Sequence, residues 1–230
     1  MGIKLYNTRS HENIFLPVNR QIRAWRKAAR RMHWKISEAE FRQIPSPPHL
    51  TETDLLDGFN GVILSYGFGD DGNAGSESVQ SGKVAWRYAC KKWFTTTWQC
   101  QYIEFDKPEH MRLRPKAPVR PIGFYFTKIK QGRSYVSYAV SRFLRQLRDR
   151  DTGCGAEGIQ LLTITHPYIP ALMNKRLIPF MTFADYEVAP YGYNDFFDAL
   201  QMFNSNETLG LGIGHLDRIY PLFGIPVLRF

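Results

Sequence analysis

The sequence predicts an α/β protein that has a mixed central sheet flanked by helices, with a helical appendage at its N-terminal end. Two observations predict it. From Gly61 onward, apolar runs typical of buried strands alternate with amphipathic helical patterns, which is the order of elements in α/β folds. Before Gly61 the chain is basic and helical in pattern, and Pro45–Pro48 then interrupt it. We therefore predict a basic helical segment over residues 1–50 that packs on an α/β domain over residues 51–230.

Three helices are predicted ahead of the α/β pattern. The first extends from about Val18 to Met32, because its apolar residues recur every three or four positions and arginine or lysine fills much of the remaining surface. The second, Ser37–Gln43, starts with Ser37 and Glu40 at the spacing of a capping box. A short third helix is expected over Thr51–Leu56.

The α/β part alternates between apolar runs and amphipathic patterns. Strands are predicted at Val62–Tyr66, Trp98–Phe105, Ile122–Phe126, Ile159–Thr165 and Met181–Val188. Helices are predicted at Lys83–Trp93, Val136–Leu147, Ala171–Leu177 and Asn194–Phe203. The glycine-rich stretch Gly210–His215 is expected to be a turn, and Ile225–Phe230 an edge strand or extended tail because Pro226 lacks an N–H group.

Composition limits the class of protein. With 43% hydrophobic residues the chain can form a sizeable core, and no apolar run is long enough for a transmembrane helix. The N-terminal residues lack the apolar run of a secretion signal, so we expect a cytoplasmic protein. Three widely spaced cysteines match neither a disulfide framework nor a zinc site, and the six histidines show no ligand-like spacing, so no metal is expected.

Basic residues are concentrated in two blocks. Residues 1–50 contain ten Lys or Arg against three Asp or Glu, and residues 111–150 contain eleven against one. The windows 51–110 and 151–230 each have four more acids than bases. Such blocks favour a polyanionic partner, either nucleic acid or a phosphorylated cofactor. A solvated basic surface without a partner is the alternative.

The clearest candidate for a ligand site is the turn Gln131–Ser137, which follows the strand at Ile122–Phe126 and opens the predicted helix at Val136–Leu147. Unpaired N–H groups at a helix N-terminus favour an anion, and Arg133 adds a guanidinium that suits phosphate. An ordinary turn with one glycine for its geometry is the alternative.

In its order of elements, the stretch Pro121–Phe180 resembles the GNAT superfamily of acyl-CoA N-acyltransferases. That family has a strand, a glycine-containing pyrophosphate turn, a helix, a second strand and a helix that ends near Gly-Phe. Here the turn is Gln131–Ser137, the second strand is Ile159–Thr165, and Ala171 precedes Pro179-Phe180 at the spacing of the family pattern. Lys175 stands where the family has its tyrosine.

The resemblance implies a GNAT-like fold that binds acetyl-CoA or another acyl-CoA and transfers the acyl group to an amine. The cofactor contacts it implies are Gln131, Gly132, Arg133, Ser134, Tyr135 and Val136. Glu104 would be the base that removes a proton from the amine, and His166 and Tyr168 would donate protons or contact the substrate.

Two other functions remain open from the residues alone. A non-catalytic nucleic-acid-binding protein would use the basic blocks at residues 18–35 and 111–150. A nucleotide-handling enzyme would use the glycine pattern Gly67–Gly72, although Asp70 and Asp71 would place negative charge beside a pyrophosphate.

Overall fold

The computed structural model describes residues 14–230 except 70–76, 93–95, 106, 108–109, 176–177 and 190–194. Within these ranges the chain is a mixed α/β protein, as predicted, but its strands form two sheets and not the one central sheet that was expected. The helices are α1 Val18–Met32, α2 Glu38–Arg42, α3 Glu52–Leu56, α4 Glu77–Lys92, α5 Val140–Gln146, α6 Ala156–Gln160 and α7 Ile169–Asn174. The strands are β1 Gly61–Gly67, β2 Thr96–Gln99, β3 Met111–Leu113, β4 Gly123–Lys130, β5 Asp151–Gly153, β6 Phe180–Val188, β7 Asp198–Ser205, β8 Thr208–His215, β9 Phe223–Gly224 and β10 Val227–Arg229.

The described strands form two sheets. The first has the order β1-β4-β10-β5, and all of its neighbours are antiparallel. The second has the order β2-β8-β7-β6-β3; it is antiparallel except for β2 beside β8, and β9 adds a short parallel pairing to β6. The largest buried cluster draws on α1, α4, α6 and both sheets, so these elements share a core, and a smaller cluster contains Phe143 of α5.

The helices before β1 form where local signals place them. A capping box joins Ser37 and Glu40 at the start of α2, as predicted. A second capping box joins Thr51 and Asp54 at the start of α3. These reciprocal hydrogen bonds satisfy N–H groups that a helix start leaves unpaired, so they act without help from distant residues.

α1 is part of the core and covers the open edge of β1. Its Trp25 is fully buried and donates through Nε1 to the carbonyl of Leu64 at 3.0 Å. The amide of Gln21 donates to the carbonyl of Val62 at 2.9 Å and accepts from the N–H of Leu64 at 2.8 Å. Side chains of α1 therefore satisfy the edge hydrogen bonds that a neighbouring strand would otherwise make.

The predicted strand at Ile159–Thr165 is wrong. These residues are helical, first as the end of α6 and then as a π-helical turn, Leu161–Thr165. All residues from 154 to 166 are buried, so the segment has no polar face and no periodicity that distinguishes a helix from a strand.

A β-hairpin replaces the predicted helix at Asn194–Phe203 and the predicted turn at Gly210–His215. Residue 194 lies outside the described part, while β7 and β8 pair in register along their whole length. The glycines of β8 make room for neighbouring side chains: a Cβ at Gly210 would overlap the ring of Phe203. Glycine here serves close packing within a strand rather than a turn.

Three other segments differ from their predicted form. The helix predicted at Val136–Leu147 is shortened to α5, and the strand predicted at Trp98–Phe105 is shortened to β2. The C-terminal segment is not an edge strand, because β10 lies between β4 and β5. Pro226 immediately precedes β10, so it leaves the hydrogen bonds of that strand intact.

Candidate functional site

Glu104 lies in a turn after β2, not in a strand as predicted. Its carboxylate pairs with Lys107 Nζ at 2.9 Å and with His110 Nδ1 at 2.5 Å. The hydrogen bond from Lys107 holds the pKa of Glu104 below its usual value. Glu104 lines a cavity of about 370 Å³ together with the basic residues Lys83 and Arg87. A carboxylate held ionised in this way is a weaker proton acceptor than a free one.

His166 and Tyr168 anchor the segment that leads into α1. His166 is fully buried, and its Nε2 accepts a hydrogen bond from the N–H of Leu16 at 2.8 Å. Burial lowers the pKa of His166 to about 3, so the imidazole is neutral at physiological pH. The hydroxyl of Tyr168 donates to the carbonyl of Ile14, and burial raises the pKa of Tyr168 to about 12. Glu104 has different neighbours, so the structure does not bring the three proposed catalytic residues together by contact.

The turn at Gln131–Val136 forms one turn of 3₁₀ helix at Arg133–Tyr135, and α5 begins only at Val140. Gly132 has a left-handed φ of 79°, and a Cβ there would lie 2.8 Å from the carbonyl carbon of Ile225. The backbone of the turn is thus covered on that side. Gln131 is also buried, Ser134 is exposed, and the side chain of Arg133 lies outside the described part of the structure.

A polar cavity of about 200 Å³ borders this turn at Tyr135. Lys130 extends beside it, with Nζ 3.0 Å from the carbonyl oxygen of Asp57 and 5.0 Å from the centre of the Tyr135 ring. Burial lowers the pKa of Lys130 and raises that of Tyr135. Arg148 and Asp151 also line the cavity, so it combines cationic and anionic groups.

A connected set of ion pairs surrounds that cavity. Asp57 accepts from Arg148 at 2.6 Å and from Arg150 and Arg229 at 3.0 Å each. Arg229 also pairs with Asp54 and Asp151, each at 2.7 Å. These contacts tie α3 to β5 and β10, and they satisfy the cations from within the molecule.

A buried charged group centred on Arg120 was not foreseen from the sequence. Arg120 is 4% exposed, and its guanidinium lies 2.7 Å from both Glu157 and Asp185, which are fully buried. The hydroxyl of Tyr125 donates to Glu157 at 2.9 Å. Although burial opposes its charge, these two carboxylates raise the pKa of Arg120. Nothing local signals this cluster, since Arg120 follows a proline-rich loop and its partners are 37 and 65 positions away.

Much of the basic block at 111–150 is neutralised by acids from the two acidic windows. The paired cations are Arg112, Arg114, Arg120, Lys128, Arg148 and Arg150. Their partners, Asp54, Asp57, Glu157, Asp185 and Glu187, all fall within 51–110 or 151–230. Six of the eleven cations of this block are therefore paired with acids within the fold.

The cations of α1 are different, because they face solvent. We call the exposed set Arg20, Arg23, Lys27, Arg30 and Arg31 the α1 basic face. The helix contains no acid. Of the acids that follow it, Glu38 pairs with Arg26 at 3.1 Å and Glu40 accepts from the hydroxyl of Tyr66 at 2.6 Å.

The glycine pattern Gly67–Gly72 is described only in part, because residues 70–72 lie outside the described ranges. Gly67 ends β1, and a Cβ there would overlap the carbonyl of Pro121. This glycine therefore permits close backbone packing within the core.

Comparison with family models, curated proteins and solved structures finds no match to this chain. Among the helices in the described ranges, none is both long and apolar enough to span a membrane. The α1 basic face places five exposed cations on a single helix.

Proposed function

We propose that this chain is a nucleic-acid-binding protein that holds the phosphate backbone on the α1 basic face. One observation carries the proposal: four exposed cations, Arg20, Arg23, Arg30 and Arg31, share a helix that has no acid, whereas six of the eleven cations of the other basic block are paired within the fold. The cations are therefore available to neutralise phosphates and release counterions.

The geometry of the helix suits this role. With 1.5 Å of rise per residue, Arg20 and Arg31 are separated by about 16 Å along the axis. The members of the α1 basic face fall within about 100° of one another around the helix, so they form one row. Because Trp25 and Ala28 on the opposite face are fully buried, the row is presented on a rigid support.

The buried apolar face also argues for a polyanion rather than a lipid surface. Basic amphipathic helices that lie on membranes insert their apolar side chains among the lipids. In α1 those side chains, Trp25, Ala28 and Ala29, are at most 5% exposed and belong to the core. Only the cationic side remains for a partner.

Binding of labelled oligonucleotides, followed by fluorescence polarisation over a salt series, tests the proposal. We expect the variant Arg20→Gln, Arg23→Gln, Arg31→Gln to bind at least tenfold more weakly at low salt. We also expect the salt slope to fall by roughly 1 for each phosphate contact removed.

The variant Lys116→Gln, Arg142→Gln, Arg145→Gln is the matched control, because it removes the same charge from exposed positions of the second block. We expect its affinity to stay within about twofold of the unaltered chain, as those positions lie off the row. Equal losses in both variants, or no binding by the unaltered chain at low salt, would contradict the proposal.

A second candidate is acyl transfer from acetyl-CoA by a GNAT-like enzyme, with Glu104, His166 and Tyr168 in the roles given above. The observation that favours it is the polar cavity beside Tyr135, whose lining includes the cations Lys130 and Arg148 together with the acids Asp57 and Asp151. A rise in melting temperature with millimolar acetyl-CoA would support this candidate. The helical state of Ile159–Thr165, where the family has a strand, makes it the weaker of the two.

A further inference from the structure

His33 ends α1 in a backbone conformation that is uncommon for a residue with a side chain. His33 has φ 54° and ψ 36°, in the left-handed region where glycine is favoured. Hydrogen bonds from the N–H of Trp34 to the carbonyl of Ala29 at 3.0 Å, and from His33 to Arg30 at 3.4 Å, form a Schellman-type ending. The exposed imidazole is thus held at a position where a side chain is disfavoured.

His33 stands beside a groove of about 470 Å³ between the end of α1 and α2. Its lining includes Arg26, Arg30, His33, Trp34, Ile36 and Phe41. Arg30 belongs to both this groove and the α1 basic face, so the groove continues the row of cations.

The aromatic wall of the groove is firmly supported. The ring of Trp34 packs against Trp25, Phe68 and Tyr88, at centroid distances of 6.1, 5.3 and 5.9 Å. Across the groove, the guanidinium of Arg26 lies 5.0 Å from the centre of the Phe41 ring and is fixed by its pair with Glu38. The groove is therefore lined by the planar side chains of Trp34 and Arg26, and their packing partners hold both in place.

We infer that this groove receives an unpaired base, so that the nucleic acid bound by the α1 basic face is single-stranded. The inference rests on the proposed function and adds the class of polymer. Aromatic and guanidinium planes stack on the face of any base, which is available in a single strand but covered in a duplex. The cations of the row would hold the adjoining phosphates.

The test compares an oligothymidine strand, a duplex and heparin, which is a polyanion without bases. His33→Gly removes the imidazole from the groove and relieves the left-handed strain. We expect its melting temperature to rise by roughly 2–4 °C, so weaker binding cannot be due to unfolding. Its affinity for the single strand is expected to fall roughly threefold to tenfold, in line with the loss of part of a stacking surface.

Trp34→Leu is the second variant, because it removes an aromatic plane from the groove without changing charge. We expect it to weaken single-strand binding as well, and thermal unfolding verifies that it folds. Both variants should leave duplex and heparin affinity unchanged, and this pattern supports the inference.

Unaltered single-strand affinity in both His33→Gly and a folded Trp34→Leu would overturn the inference. If the triple variant of the α1 basic face still weakened binding to all three ligands, the proposed function would stand. Failure of the unaltered chain to bind any of the three would overturn both.

Discussion

His166 illustrates how burial determines the state of a single side chain. The imidazole accepts a hydrogen bond from Leu16 and has no exposed surface. Protonation would remove that acceptor and place a charge in the core, which is why the pKa is lowered from 6.5 to about 3. A neutral, buried imidazole of this kind stabilises the entry to α1.

His166 makes the free energy of unfolding decrease as the pH falls. Between the folded pKa of about 3 and the unfolded value of 6.5, the unfolded chain binds more protons, so stability falls as the pH drops. We expect the contribution of His166 to fall by about 2 kcal/mol between pH 7 and pH 5. Urea denaturation at both values should show this loss, and His166→Gln should reduce it. His49→Gln, an exposed control, should keep the full loss. An equal loss between pH 7 and pH 5 in both variants would show that His166 is not the residue responsible.

At the scale of elements, two glutamines complete the first sheet where strand pairing stops. Gln21 from α1 bonds to Val62 and Leu64, and Gln160 from α6 exchanges two hydrogen bonds with Tyr66 at 2.8 and 3.1 Å. The edge of β1 therefore carries helices rather than a further strand. This arrangement protects the edge from pairing with another chain.

Replacing Gln21 tests how much the hydrogen bonds from α1 to β1 contribute to the free energy of unfolding. Gln21→Leu keeps the apolar stem but leaves a buried N–H and a buried carbonyl without partners. We expect the free energy of unfolding to fall by about 2–3 kcal/mol, since each unsatisfied group is costly. Arg23→Leu, at an exposed position of the same helix, should change it by less than about 0.5 kcal/mol. Equal losses in the two variants would show that helix propensity, not edge satisfaction, is responsible.

At the scale of the whole molecule, Arg120 connects the two sheets. Its partners are Asp185 on β6 of the second sheet, Glu157 on α6, and the carbonyl of Gly153 on β5 of the first sheet. Each of these groups is buried, so water cannot take the place of Arg120 as their hydrogen-bond partner. The side chain therefore couples the stability of one sheet to that of the other.

Replacing Arg120 by methionine should leave the buried carboxylate of Glu157 without its cation, while the buried Asp185 keeps only Arg114 at 3.0 Å. We expect a loss of about 3–5 kcal/mol in the free energy of unfolding, measured by chemical denaturation. Arg112→Met is the matched control, because Arg112 is exposed in its pair with Glu187 and the pair should contribute at most about 1 kcal/mol. If Arg120→Met lowered the free energy of unfolding by less than about 1 kcal/mol, the Arg120 cluster would not couple the stability of the two sheets.

What the sequence determined by itself is the local part of this protein. Helical periodicity located α1, reciprocal capping residues marked the start of α2, and apolar runs located β1, β4 and β6, because each signal lies within a few neighbouring residues. Long-range contacts decided the rest. The run Ile159–Thr165 is buried on all sides, so its sequence has no hydrophobic periodicity that separates helix from strand. The glycines of β8 accommodate Phe203 and its neighbours. A charge count showed two basic blocks. Only the tertiary structure paired six cations of one block with distant acids and left the α1 basic face in solvent, because electrostatic neutralisation depends on distance in space.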